Sequence, residues 1–448
     1  MQHDGAERSD GQTEPDWPSA ARAWTMVFML LTAYAIAFID RQILNLLVEP
    51  VRRDLAITDT QFSLLSGLAF TFFYIIMGIP FAWLADRGSR RNLIMVSITV
   101  WSAMTAACGM ATSFLTLFLA RIGLGIGAAG LSPAAYSMIA DSFPPTRRAR
   151  ALGVYSMGAI AGVGLALIIG GAVAQWAVSA PPVTLPLLGP VKGWQLAFLI
   201  VSLPGFMLAV AMFGLREPKR QERTHGGDGA GMAFTSFLRE RWRIFCLLSF
   251  GYSLIGVPIA AYITWTPAFM MRSHGWGIAE VGLVYGMILL FCSTAGIVTG
   301  GWWADRLTAR GTPNAILKVA VAGGAIALPF AIAAPFAPNG TLAMVLIALM
   351  SLFFGLAQGL PPASLQAIAP NELRARVIAL YLLVGNIVAF TVGPTGVALI
   401  SDYWLRDPAK IGFAIGLMTA VIVPLGLLSL LAAFTRHPHD GGDDSHAT

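Results

Sequence analysis

Stretches of about 20 apolar residues recur twelve times along this chain, over 24–47, 60–84, 92–112, 114–140, 150–175, 194–215, 244–271, 279–304, 314–336, 341–368, 375–401 and 411–434. At a rise of 1.5 Å per residue, each is long enough to cross a hydrocarbon core roughly 30 Å thick. Lipid offers no partner to backbone N–H and C=O groups, so such segments have to be helices. The expected fold class is an all-α polytopic membrane protein with 12 transmembrane helices. Only 12% of the residues are charged and 56% are hydrophobic, which excludes an ordinary soluble domain, where about 25% are charged.

Lysine and arginine set the expected orientation. With the N-terminus inside, the inner loops hold eighteen basic residues and the outer loops six. That bias puts both termini in the cytoplasm and the chain in a plasma (bacterial inner) membrane. The net charge of +6 is then a topology signal and a contact for anionic lipid, and it does not call for nucleic acid. Residues 1–22 are polar and mostly acidic, so they read as a disordered cytoplasmic tail, and 435–448 as a cytoplasmic C-terminal tail. Cys108, Cys246 and Cys292 lie in apolar spans without metal spacing, so no metal and no disulfide is expected.

The chain also echoes itself. Ala82-Trp83-Leu84-Ala85-Asp86-Arg87-Gly88, followed by Arg90 and Arg91, returns 219 residues later as Gly301-Trp302-Trp303-Ala304-Asp305-Arg306. Gly130-Leu131-Ser132-Pro133 with Arg148-Ala149-Arg150 pairs in the same way with Gly359-Leu360-Pro361-Pro362 and Arg374-Ala375-Arg376. Two six-helix halves, 23–215 and 244–434, are expected on either side of a cytoplasmic linker at 216–243, whose Gly-rich run 224–231 reads as flexible.

These motifs look like a major facilitator superfamily (MFS) transporter over nearly the whole chain. The family's loop signature is kept at Asp86, Arg87, Arg90 and Arg91, although Ala82 replaces its first glycine and Gly88 is shifted. Phe38-Ile39-Asp40-Arg41, then Asp59-Thr60-Gln61-Phe62, then the Asp86-Arg87 turn and Trp101 resemble the spinster-like branch, which implies export of sphingosine phosphate or lysophospholipid. A helix-1 Asp-Arg pair also resembles the organic-anion symporters of the superfamily.

Charges inside the membrane are few. Of 23 carboxylates only Asp40 lies well inside a span, and of 29 basic residues only Arg41 and Arg121 do. Such groups are costly in lipid and therefore face protein or water. Asp40 and Arg121 both fall roughly 10 Å below the outer ends of helices 1 and 4 at 1.5 Å per residue, so contact between them is expected. It either only fastens two helices or serves transport. In the transport reading Asp40 is the proton switch, with burial and the guanidiniums acting on it in opposite senses. Arg121, with Arg41, then receives an anion such as a phosphomonoester, whose charge is about −1.5 to −2.

Tyr262, Trp265 and Asn386 are further candidates for the cavity wall, and Asp86, Arg87, Arg90, Arg91, Asp141, Arg148, Asp305 and Arg306 for gates at the inner end. No membrane histidine, metal cluster or phosphate loop supports catalysis. The expected activity is proton-linked alternating access by a monomer that needs no cofactor beyond the proton gradient. It would export an anionic amphiphilic lipid, with membrane lipids as its other partners. Small organic anions taken up with protons, or lipid binding without transport, are the alternatives.

Overall fold

In a computed structural model, twelve apolar helices among the described residues are long enough to cross a membrane. The structure describes residues 17–181, 183–185, 189–220, 230–370 and 373–435. The distal parts of both tails, Glu372 and the linker run 221–229 lie outside the described residues. The first half comprises helix 1 (Ala20–Leu46), helix 2 (Asp59–Arg87), helix 3 (Arg90–Gly109), helix 4 (Phe114–Ala140), helix 5 (Pro145–Ser179) and helix 6 (Gly193–Gly214). The second comprises helix 7 (Ser236–His274), helix 8 (Ile278–Ala309), helix 9 (Ala315–Phe336), helix 10 (Gly340–Ile368), helix 11 (Arg376–Leu405) and helix 12 (Pro408–Phe434).

Several boundaries differ from the hydropathy reading. The first apolar span ends at 47 and the residues after it read as loop. Instead, a short helix runs Val48–Leu55 with Pro50 in its first turn, where the missing N–H costs no internal bond. Residues before 244 read as linker, yet the helix begins at Ala230 and bends only at Arg241 (φ −108°, ψ 17°). Arginine, glutamate and alanine are good helix formers, and hydropathy detects only the part of a helix that suits lipid. The proline-rich loop after helix 5 contains a two-stranded hairpin, Val183–Leu185 against Gly189–Val191.

Helices 2, 4 and 10 are interrupted, helix 8 passes through a π-turn at Ile288–Ser293, and the first break has a steric cause. At Gly67 (φ −98°, ψ −83°) the halves approach so closely that a Cβ would lie 2.4 Å from the Phe390 carbonyl oxygen of helix 11. Helices 5 and 8 meet as tightly, because a Cβ on Gly164 or on Gly286 would lie 2.6 Å from the other's carbonyl oxygen. Gly158 and Gly162 of the same helix-5 stripe face Leu31 and Phe38 of helix 1 instead. We expect Gly67→Val to hold the halves apart at this end. Spin labels at positions 53 and 409 should then report a longer distance than in the otherwise native protein.

Among the described residues, every hydrogen bond and ion pair joining the halves lies at the end remote from the basic loops. Asp59 of helix 2 accepts two 2.8 Å hydrogen bonds from Arg272 of helix 7 and pairs with Arg52 at 2.9 Å. Arg272 also reaches Glu49 at 2.5 Å, and Asp402 of helix 11 accepts from the N–H and hydroxyl of Thr60, both at 2.7 Å. Phe62 packs on Trp265 with 5.7 Å between ring centroids. The protein is therefore closed at this end.

Candidate functional site

Helix 1 brings Asp40 and Arg41 to the contact between the halves, and their side chains diverge. Asp40 is fully buried against helices 3 and 4, next to Thr105 and Arg121. Thr105 gives its single hydroxyl proton to the Trp101 carbonyl at 3.0 Å, so neither carboxylate oxygen of Asp40 has a hydrogen-bond partner among the described residues.

The expected Asp40–Arg121 ion pair is not formed. Arg121, also fully buried, donates from Nε to the Leu65 carbonyl at 3.1 Å. Its two other nitrogens reach the carbonyls of Asp40 at 3.4 Å and Arg41 at 3.5 Å. The break at Gly67 explains this choice, since it interrupts the helical ladder of helix 2 and leaves the Leu65 carbonyl for the guanidinium. Five N–H donors in a fixed fork can tie three carbonyls at once. Arg121 thus fastens helices 1 and 2 to helix 4, and in this conformation it cannot also hold a substrate.

Arg41 is placed differently. Its guanidinium lies 4.7 Å from the Phe70 ring of helix 2 and 4.6 Å from the Phe390 ring of helix 11, one aromatic face from each half. Its hydrogen bond, 3.4 Å to the Thr71 hydroxyl, is neutral, and no carboxylate pairs with it among the described residues. Tyr34 and Tyr74 face the same guanidinium, and Tyr34 stacks on Tyr155 at 5.3 Å. The sequence reading gave Tyr34, Phe70 and Phe390 no role here. Only their approach to Arg41 in space reveals it.

Phe390 also borders a cavity of about 230 Å³ between helices 7, 10 and 11, lined by Tyr252, Ser253, Gln358, Tyr381 and Asn386 among others. Asn386 is thus on the cavity wall, with its amide N–H₂ donating to the Leu382 carbonyl at 2.8 Å. Tyr262 and Trp265 have been placed elsewhere by packing. The Tyr262 hydroxyl donates to the Ala331 carbonyl at 2.5 Å, and the Trp265 indole donates to Pro394 at 2.9 Å within the seal described above. Tyr262 borders a small recess beside the cavity in the second half.

At the basic end the expected gate residues are only partly joined. Buried Arg90 is the hub, pairing with Asp141 and Glu217 and donating to Ser137 at 2.9 Å and to the Pro218 carbonyl at 2.8 Å. Arg91 reaches the Leu215 carbonyl at 3.3 Å. Arg87 lies over Trp83 at 4.2 Å and Arg306 over Trp302 at 5.3 Å, each on its own helix.

Neither Asp86 nor Asp305 has an ion pair among the described residues; the Asp86 carbonyl accepts from Arg220 instead. Asp141 meets Arg90, and the Nε of Arg148, another gate candidate, is buried without a hydrogen bond. These ties hold helices 3 and 4 to the segment after helix 6, within one half. Glu217 was not anticipated, because nothing in a loop sequence shows which arginine a carboxylate will meet.

Burial raises the Glu217 carboxyl, and the hydrogen bonds from Ser89 and from the backbone and side chain of Arg90 outweigh that and hold it below its ordinary value. A carboxyl lowered on folding stabilises the protein above its unfolded value and loses that contribution as pH falls. Glu217→Gln should cost about 1–2 kcal/mol at neutral pH, as for a lost charged hydrogen bond. The difference from wild type in thermal unfolding should shrink as pH falls through the usual carboxylate range.

The sequence pattern of the Major Facilitator Superfamily matches residues 30–394. An MFS-type efflux pump of Mycolicibacterium smegmatis is 30% identical, with 94% of each chain covered. A probable galactarate/D-glucarate transporter of Bacillus subtilis is 26% identical over 82% of this chain and 83% of its own. Among solved structures, a bacterial homologue of the human lysosomal transporter Spinster, inward-facing and unoccupied, superposes with a TM-score of 0.76. It is 28% identical, over 93% of this chain and 95% of that one. The chain belongs to the Major Facilitator Superfamily: it is an integral membrane transporter, not an enzyme, and it is similar to the spinster-like branch.

Proposed function

We propose that this transporter carries an anionic amphiphile by proton-linked alternating access, with Arg41 as the anion contact and Asp40 as the proton site. The carrying observation is the Arg41 guanidinium, held between an aromatic ring of each half and without a carboxylate partner at the edge of the cavity. An anion arriving from the basic end meets the one membrane-embedded guanidinium that is neither fully buried nor tied to carbonyls. A phosphate group supplies charge and acceptors to it, while the largely apolar cavity wall receives a hydrocarbon tail.

Asp40 precedes Arg41 on the same helix, so the two can be linked without a long pathway. Its carboxylate is buried with no donor, and a proton is the species that can neutralise it in place. Compared with the sequence reading, the anion contact passes from Arg121 to Arg41, and Arg121 becomes the strut that holds both residues through their carbonyls.

A second reading, symport of small organic anions, draws on relatives named as transporters of galactarate, D-glucarate and L-galactonate. A cavity of about 230 Å³ also suits a small solute. Labelled lysolipid phosphate and labelled galactarate, offered in parallel to proteoliposomes under an inward proton gradient, separate the two. Movement of the lipid supports the first reading and movement of galactarate alone the second. Binding of lipid without flux of either would overturn both and leave a lipid-binding protein.

A further inference from the structure

A second, larger concavity lies on the outer surface of the second half, between helices 7, 11 and 12, with a volume of about 790 Å³. It is distinct from the central cavity. Ser253 borders both, and Gly385 sits so close to it that an added Cβ would lie 3.1 Å from the Ser253 hydroxyl, which makes a thin partition between the two. Trp242, Cys246 and Phe250 of helix 7 form one wall, and Leu380, Val384 and Val388 of helix 11 the other. Phe250 is 56% exposed and Val384 44%, so the groove opens outward, where lipid lies.

Three features set this groove apart from ordinary lipid-facing surface. The first is charge at its mouth. Arg243 lines it, and the approach from 239 to 243 holds Arg239, Arg241 and Arg243 against a single acid, Glu240. Arg376 stands one turn before Leu380 on the row 376, 380, 384, 388, a spacing of four that keeps these positions on one helix face. The second is length: from Arg243 to Ser253 the helix rises about 15 Å, half of a 30 Å hydrocarbon core and thus the depth of one leaflet. The third is Ser249, which lines the groove, is 8% exposed and leaves its hydroxyl without a hydrogen-bond partner. The hydroxyls beside it are engaged, Ser253 with the Ser249 carbonyl at 2.6 Å and Ser429 with that of Leu247 at 2.8 Å.

We propose that this groove is a binding site for an anionic glycerophospholipid of the leaflet at the basic end. One acyl chain lies along helices 7 and 11, the phosphate meets Arg243, and the Ser249 hydroxyl, buried and unpartnered in this conformation, turns outward to donate to an ester carbonyl. A basic mouth between membrane helices is the kind of feature that selects anionic headgroups. The lipid is a resident of the fold, so the site stands whatever solute the central cavity carries.

Native mass spectrometry of the full-length protein, released from micelles containing phosphatidylglycerol and phosphatidylcholine at equal concentration, tests this. Wild type should retain phosphatidylglycerol about fivefold over phosphatidylcholine, the ratio expected from one basic residue near an anionic headgroup. Arg243→Gln should remove the preference, and Val384→Trp, which fills the groove from the lipid side, should remove retention of both lipids. Both side chains are exposed, so neither change disturbs the packed interior. Equal retention of the two lipids by wild type overturns the proposal. So does a preference that survives Arg243→Gln, and so does retention unaffected by Val384→Trp, which would mean loose attraction to surface charge.

Discussion

Arg41→Ala should lower transport of the anionic substrate by about a hundredfold in proteoliposomes, with the amount of inserted protein unchanged. Removing one partner of a desolvated charge contact costs about 2–5 kcal/mol, and every 1.4 kcal/mol is a factor of ten. Arg41 bonds only to Thr71 and rests on Phe70 and Phe390, so its loss leaves no buried anion behind in the empty protein. The defect should therefore appear in flux rather than in folding. Arg41→Lys keeps the charge but not the planar fork that stacks between two rings, and a loss of about tenfold is expected from it. Flux equal to wild type in Arg41→Ala would place the anion elsewhere.

The second large effect is on conformation. Asp59 is fully buried and holds both Arg52 and Arg272, the latter from the other half. Asp59→Ala removes the acid of Arg52 in either conformation, but it deprives Arg272 of its partner only while this end is closed. Losing one partner of a buried pair costs roughly 3–5 kcal/mol, and we discount that to about 2 kcal/mol because Glu49 and water still reach Arg272. The equilibrium should then shift about thirtyfold toward the state open at this end. Labels at positions 53 and 409 should show a new, longer distance population. Asp59→Ala combined with Gly67→Val should add little, since each removes the same closed state.

How much of this was legible in the sequence depended on how local the cause was. The twelve helices were, because each span carries its own hydropathy signal. Helix ends such as Val48–Leu55 and the segment before Ile244 were not, because polar helical turns look like loops to a hydropathy scale. Asp40, Arg41 and Arg121 stood out as charges inside apolar runs, and depth along the helices placed Arg121 correctly beside the Asp40–Arg41 backbone. What depth could not give is which atoms meet. The break at Gly67 exposes a carbonyl to Arg121, and that detail separates a strut from an anion contact. The contacts of Arg272, Asp59 and Asp402 across the halves escaped notice for another reason. Charges near helix ends are common, and only the folded arrangement shows that these join the two halves.

The central claim is that a proton at Asp40 and an anion at Arg41 are linked. The most direct test is flux of the labelled anionic substrate in proteoliposomes with and without a pH gradient, for wild type and Asp40→Asn, together with exchange of substrate across the membrane at equal pH. The account predicts that the gradient accelerates wild type severalfold and leaves Asp40→Asn unaffected, while Asp40→Asn still exchanges substrate because Arg41 is intact. Asp40→Asn responding to the gradient as wild type does would contradict it.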